Sequence, residues 1–260
     1  MRPKIISVSG KGGVGKSSIL VLLLKYLIEE EKYKDILVID ADPDANIGDL
    51  IGKVVHFNET VGGKMTILKQ KIQKRQLPLD VPKNQIIESE VFSSLIEMDN
   101  FDLLEMGRSE GSGCYCSVNN ALKHIIDVLS KNYEITLIDA PAGLEYFARK
   151  TGQDVSDLII LTDASKMGFH TLERIIEVSK DVDLKFENIW VLGNKFPEGL
   201  EHLLEKKVEE INEPNIHFLG VLPNNDAISE INIMGKNLLE LPNDNELYIK
   251  AKEFFKKIIE

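Results

Sequence analysis

The 260-residue sequence predicts an α/β fold: one mostly parallel sheet of about seven or eight strands, with helices on both faces. Three observations carry that prediction. Short apolar runs of strand length recur along the chain and alternate with helical segments, the pattern of a sheet covered on both sides. The first such run, Ile5 to Ser9, leads through a glycine-rich stretch into Ser18 to Tyr26, an almost continuous run of apolar helix formers. No internal repeat, linker or low-complexity tract interrupts the alternation. Residues 1–260 therefore read as a single domain, and 43% hydrophobic content suffices to fill its core.

The glycine-rich stretch is Gly10-Lys11-Gly12-Gly13-Val14-Gly15-Lys16-Ser17. Strand, glycine-rich loop, helix is the setting in which G-x-x-x-x-G-K-[ST] forms a phosphate cradle, the P-loop of a nucleoside triphosphatase. Glycines adopt turns that other residues resist and leave backbone N–H groups bare to face phosphate oxygens. The helix that follows adds its positive dipole end. Lys16 is expected to reach the β- and γ-phosphates of ATP and Ser17 to ligate Mg²⁺, with Ser18 completing the nucleotide-binding set.

Lys11, directly after the first glycine, is not needed by an ordinary P-loop. K-G-G-V-G-K-S resembles the deviant Walker A motif of the MinD/ParA/nitrogenase-iron-protein class of ATPases. In that class the early lysine crosses a dimer interface and touches the phosphates held by the partner. The resemblance thus implies an ATP-dependent homodimer and a catalytic role for Lys11; a solvated surface charge is the plain alternative.

The remaining elements follow in order. Ile36 to Asp40 reads as a second buried strand, ending in Asp40-Ala41-Asp42-Pro43-Asp44-Ala45-Asn46. Carboxylates at the carboxyl end of a parallel strand lie beside the nucleotide crevice. The stretch resembles switch I of the same class, which implies that Asp42 orients the attacking water and that Asp40 supports Mg²⁺ or its water shell. Asp44 and Asn46 either join them or cap the next helix. Between Leu50 and Met98 the sequence is least informative: Met65 to Lys74 and Glu88 to Glu97 look helical.

Phe101 to Met106 predicts a third strand. It runs into a Gly/Ser-rich loop bearing Cys114-Tyr115-Cys116, with Ser117 placed to cap a helix over Val118 to Leu129. Ile135 to Asp139 predicts a further strand, closed by Asp139-Ala140-Pro141-Ala142-Gly143. This resembles Walker B fused to switch II, which implies that Asp139 holds the Mg²⁺ shell and that the Gly143 N–H senses the γ-phosphate. Leu158 to Thr162 is the next strand, followed by a helix over Gly168 to Lys180. Ile189 to Gly193 is another, ending at Asn194-Lys195. The amide of Asn194 can pair with an adenine edge, as the class implies, or simply cap the strand. His217 to Leu222 is the last strand, and Pro223-Asn224-Asn225 is expected near the adenine or ribose. Asn245 to Ile259 reads as a closing helix.

Cys114 and Cys116 are the two cysteines of the chain, so no disulfide framework exists. Thiolates near a helix start have lowered pKa values, which favours metal binding. One C-x-C gives half of a tetrahedral site that wants four ligands, and a two-fold dimer would supply the other half. Deviant Walker A, D-x-D-P-D-A-N and G-x-G-C-x-C-x-x-N together resemble the CooC-type nickel-insertion ATPases. These mature the nickel-iron-sulfur site of carbon monoxide dehydrogenase. The resemblance spans nearly the whole chain and implies a metal, Ni²⁺ or Zn²⁺, shared across the dimer, and a client metalloenzyme as partner.

A formal charge of -11 counts against a sequence-independent grip on nucleic acid. The first residues lack a signal-peptide pattern and no apolar stretch would span a bilayer, so the expectation is cytoplasmic. Two competing readings remain. An iron-sulfur carrier would commonly place C-x-x-C near its C-terminus. A MinD-like membrane regulator would need an exposed amphipathic tail, whereas Phe254, Phe255 and Ile258 can pack on the sheet instead.

Overall fold

A computed structural model describes residues 3–76, 80–108, 128–141, 155–181 and 186–260. The strands are β1 (Lys4–Gly10), β2 (Ile36–Asp40), β3 (Ile96–Glu97), β4 (Asp102–Glu105), β5 (Ile135–Asp139), β6 (Asp157–Thr162), β7 (Asn188–Gly193) and β8 (Ile216–Val221). They form one sheet in the order β3-β4-β2-β5-β1-β6-β7-β8. Every pairing is parallel except that of the two-residue edge strand β3 with β4. The expected α/β architecture is therefore present, with eight strands among the described residues.

Alternation along the strands builds two cores. Ile6, Val8, Ile36 and Val38 face one side of the sheet, and Ile5, Leu37 and Ile39 face the other. On the first side lies helix α1 (Lys16–Glu29), whose Leu20 to Leu24 are fully buried. A helix apolar nearly all round belongs in an interior. Beside it packs the last helix, which, with the intervening short helices named below, is α8 (Glu246–Ile259). Its Leu247, Ala251, Phe254, Phe255 and Ile258 are buried, and the Phe255 ring meets Tyr26 at 5.9 Å between centroids. Asn245 caps it by accepting a hydrogen bond from the Tyr248 N–H at 3.2 Å.

Helices α2 (Ile47–Leu50), α3 (Val61–Gln73) and α4 (Lys83–Phe92) fill the stretch between β2 and β3. The helix expected over Glu88 to Glu97 starts earlier and ends at Phe92. The chain then turns, and Ile96-Glu97 pairs with Asp102 and Leu103 instead. That pairing satisfies backbone groups of the sheet edge, which local sequence pattern does not reveal. Helices α5 (Lys166–Asp181), α6 (Glu201–Ile211) and α7 (Asp226–Ile233) follow β6, β7 and β8. Cys114, Cys116, Gly143 and most of the helix expected over Val118 to Leu129 lie outside the described residues.

Candidate nucleotide site

Parallel pairing brings the carboxyl ends of four strands to one level. Asp40 stands in register with both Asp139 and Glu105, and Val8 with Asp139. The loop after β1 opens at the same level, where the strand order reverses around β1, and this is where open α/β sheets bind ligands.

Two glycines of that loop are required by what surrounds them. A Cβ on Gly10 would lie 2.2 Å from the Leu161 carbonyl oxygen. Gly15 has φ 98° and a Cβ there would lie 2.6 Å from the Asn194 amide nitrogen. Helix α1 is preceded by Gly15 at its cap position, with no side-chain cap and no acidic residue in its first turn. Its leading N–H groups are thus left for an anion.

Ser17 donates its hydroxyl to Asp139 Oδ2 at 2.5 Å, joining two of the three residues expected to hold or support Mg²⁺, the third being Asp40. The other oxygen, Asp139 Oδ1, is buried and has no hydrogen-bond partner among the described residues. Burial raises the Asp139 carboxyl to about 6, opposed by the Ser17 hydroxyl and the Lys16 ammonium. A serine hydroxyl, a buried carboxylate and an unmet oxygen suit a small hard cation, so the donors present fit Mg²⁺. The ammonium of Lys16, a residue 8% exposed, makes no ion pair or hydrogen bond with a described residue. A cavity of about 680 Å³ opens here, lined by Gly12, Gly13, Gly15, Lys16, Ser17 and Ser18 on one side and by Asp42, Asp49 and Lys53 on another.

Asp40 is fully buried, and its two oxygens accept the N–H groups of Asp42 at 3.1 Å and Ile47 at 2.9 Å. Burial, then the neighbouring Asp139 charge, push its carboxyl well above the ordinary value. The carboxylate thereby anchors the loop that carries Asp42. Asp42 itself is half-buried on the cavity wall and accepts the Asp44 N–H at 3.0 Å. Asn46 occupies the cap position of α2 without a side-chain cap bond. Instead Glu105 Oε1 takes the Gly48 N–H at 2.7 Å. Burial raises Glu105 to about 7, the Gly48 N–H opposing. Sequence reasoning passed over Glu105, although an acid closing an apolar strand is the signal that singled out Asp40 and Asp139. Asp44 pairs with Arg108 at the exit of β4.

Lys11 turns inward on its own chain. Its ammonium lies 2.7 Å from Asp163 Oδ2 and 3.1 Å from the Ser165 hydroxyl. Burial would raise the Asp163 carboxyl, yet the hydrogen bonds from Lys11 and Ser165 hold it below its ordinary value. Asn194 donates its amide to the Val14 carbonyl at 2.8 Å, and Lys195 reaches the Gly13 carbonyl at 3.2 Å. Both therefore brace the P-loop. Asn194, Lys195, Pro223, Asn224 and Asn225 also line a smaller cavity that shares Gly15 and Ser18 with the first. It is the place expected for a base.

A P-loop at the reversal of a parallel sheet, with a serine-aspartate pair beneath it, defines a P-loop nucleotide-binding protein. The chain belongs to the CobQ/CobB/MinD/ParA nucleotide binding domain family, which matches residues 5–238. It is 43% identical over 255 residues to an uncharacterized ATP-binding protein of Methanocaldococcus jannaschii, covering 98% of each. It is 30% identical over 251 residues to the carbon monoxide dehydrogenase accessory protein CooC of Rhodospirillum rubrum, covering 91% of this chain and 89% of that one. Among solved structures, a ParA family ATPase from Chlorobium tepidum matches with a TM-score of 0.70 at 15% identity, over 98% of this chain and 99% of that one. MinD of Pyrococcus horikoshii, complexed with Mg-ADP, matches at 0.66 and 18%, over 98% and 95%.

Proposed function

We propose that this chain is an ATPase whose ATP-bound form is a two-fold dimer, and that the dimer carries a metal ion to a metalloenzyme. The observation that supports the ATPase reading is the Ser17–Asp139 contact, with an unmet Asp139 oxygen, beneath an uncapped helix start. Ser17 and Asp139 would hold Mg²⁺, which when bound neutralises charge on the phosphates. Lys16 and the loop N–H groups stabilise charge developing on the transferred phosphoryl group. Asp42, fixed by the Asp40 anchor, orients the attacking water toward it. The Gly143 N–H is proposed to sense the γ-phosphate, and Asn194 and Pro223 to border the base.

Lys11 would leave Asp163 to meet the phosphates of the partner chain, where a dry interface strengthens the attraction. Cys114 and Cys116 of both chains would then provide four thiolates for one ion, Ni²⁺ by resemblance and Zn²⁺ as its competitor. The CooC relative, named as a carbon monoxide dehydrogenase accessory protein, supports that enzyme as the client. In α8, Leu247, Ala251, Phe254, Phe255 and Ile258 pack in the core, while Ile249 is exposed. Among the described residues no helix is long and apolar enough to cross a membrane. The test of the ATPase reading is turnover. Lys16→Ala should abolish it by weakening binding, and Asp42→Ala should stop it while ATP still binds. Parent-level hydrolysis by purified Lys16→Ala protein would refute the assignment.

A further inference from the structure

Two segments far apart in sequence line the large cavity together with the P-loop, and they do it with the same local device. Helix α2 is followed by Ile51-Gly52-Lys53, and α7 by Met234-Gly235-Lys236. Both glycines are left-handed, at φ 70° and 62°. In each turn the lysine N–H bonds back five residues: Lys53 to the Gly48 carbonyl at 2.8 Å, and Lys236 to the Ile231 carbonyl at 3.0 Å. This is a helix-ending turn that needs the glycine and redirects the chain. The two turns meet, since a Cβ on Gly52 would lie 3.6 Å from Asn237 Cβ. Both lysines line the cavity that holds Lys16 and Ser17.

Neither Lys53 nor Lys236 makes an ion pair or hydrogen bond through its ammonium with a described residue, in a chain that carries eleven more acids than bases. Attraction to a helix C-terminus accounts poorly for Lys53, because α2 has four residues and little dipole. The sign of the cavity's charge depends on them. Asp42, Asp44 and Asp49 line it, and the charge of Asp44 is already met by Arg108. Asp42 and Asp49 against Lys16 alone would leave the lining one net negative charge, which repels a polyphosphate; Lys53 and Lys236 make it one net positive charge.

We propose that Lys53 and Lys236 form a second cationic wall that binds the phosphate chain of the nucleotide together with the P-loop. The inference rests on the P-loop being the nucleotide site. A triphosphate carries more charge than a diphosphate, so this wall favours ATP over ADP.

Equilibrium binding of Mg-ATP and Mg-ADP to the full chain, at low and high salt, tests it. The Lys53→Ala/Lys236→Ala variant should bind ATP roughly tenfold more weakly, from two charges acting through a partly solvated site. The loss for ADP should be smaller, and both losses should shrink as salt rises. Lys53→Arg/Lys236→Arg keeps the charges and should keep ATP affinity within about twofold. Parent-level ATP affinity in the double alanine variant would overturn the proposal, as would an equal loss in the arginine variant. Should the double alanine protein fail to fold, Lys53→Gln and Lys236→Gln made singly carry the same expectation, at roughly threefold each. Lys16→Ala separates the two levels. If it too retains ATP, the P-loop reading fails; if it alone loses ATP, only the second wall fails.

Discussion

Replacing Asp163 by Asn should make the ATP-bound dimer tighter. Lys11 is held by Asp163 at 2.7 Å and Ser165 at 3.1 Å within one chain, so a lysine that must reach a partner has first to be released. The pair is partly solvated, with side chains 32% and 25% exposed, which places its worth at about 1 kcal/mol. A two-fold dimer releases two such pairs, so removing the carboxylate should favour association by about 2 kcal/mol, or roughly 30-fold in the dissociation constant. Asp163→Asn keeps the shape and the Ser165 contact while deleting the charge. Sedimentation equilibrium of parent and variant with a non-hydrolysable ATP analogue and Mg²⁺ reads the difference. The low carboxyl pKa of Asp163 adds a pH signature. Its stabilising contribution is present above the unfolded carboxylate pKa and is lost as pH falls through the lower, folded value. The gap between parent and variant should therefore narrow in acid. A variant dimer no tighter than the parent's at neutral pH would refute the view that Asp163 restrains Lys11.

Other expectations follow from the same geometry. Glu105, raised from 4.5 to about 7 by burial, keeps a proton in the native state that the unfolded chain has lost between those values. Stability should fall by about 3 kcal/mol as pH rises across that window and then level off. Glu105→Gln should remove that share of the slope, read as urea midpoints near pH 5 and pH 8; an unchanged slope would count against Glu105 as its source. Gly15→Ala must strain a left-handed φ and push on Asn194, so it should cost at least about 1 kcal/mol and weaken nucleotide binding, measured by thermal melting with and without ATP. Phe255→Ala, at a fully buried ring beneath α1, should cost about 3–5 kcal/mol in denaturant titration.

The parts legible in the sequence are those in which neighbours along the chain decide the outcome. Apolar runs such as Ile36 to Asp40 and Ile135 to Asp139 gave their strands, and the glycine pattern before Lys16 gave the loop and the start of α1. Ser17 and Asp139 were each marked by a motif, but the hydrogen bond that joins them across 122 residues belongs to the fold. Contacts across the fold were not legible. Glu105 meets Gly48 from 57 residues away, and Lys11 meets Asp163 from 152 residues away. Both acids nonetheless stand at or just past the end of an apolar strand, as Asp40 and Asp139 do. A uniform reading of strand-ending acids would have marked all four. Lys53 and Lys236 carry no signal beyond a preceding glycine, since the shared cavity exists only after β2, β8 and the P-loop come together. Over Glu88 to Glu97 the composition suits a helix, and pairing with β4 decides against one beyond Phe92.

Counting metal decides whether an ion is held between two nucleotide-bound chains. Anaerobically purified protein should be titrated with Ni²⁺ in the presence and absence of ATP, beside a Cys114→Ser/Cys116→Ser variant. The expected result is one tightly bound Ni²⁺ per two chains, an affinity that changes with ATP and weakens as pH drops because ligation needs deprotonated sulfur, and no tight binding in the double variant. One Ni²⁺ per chain, or parent-level affinity in the double variant, would contradict it.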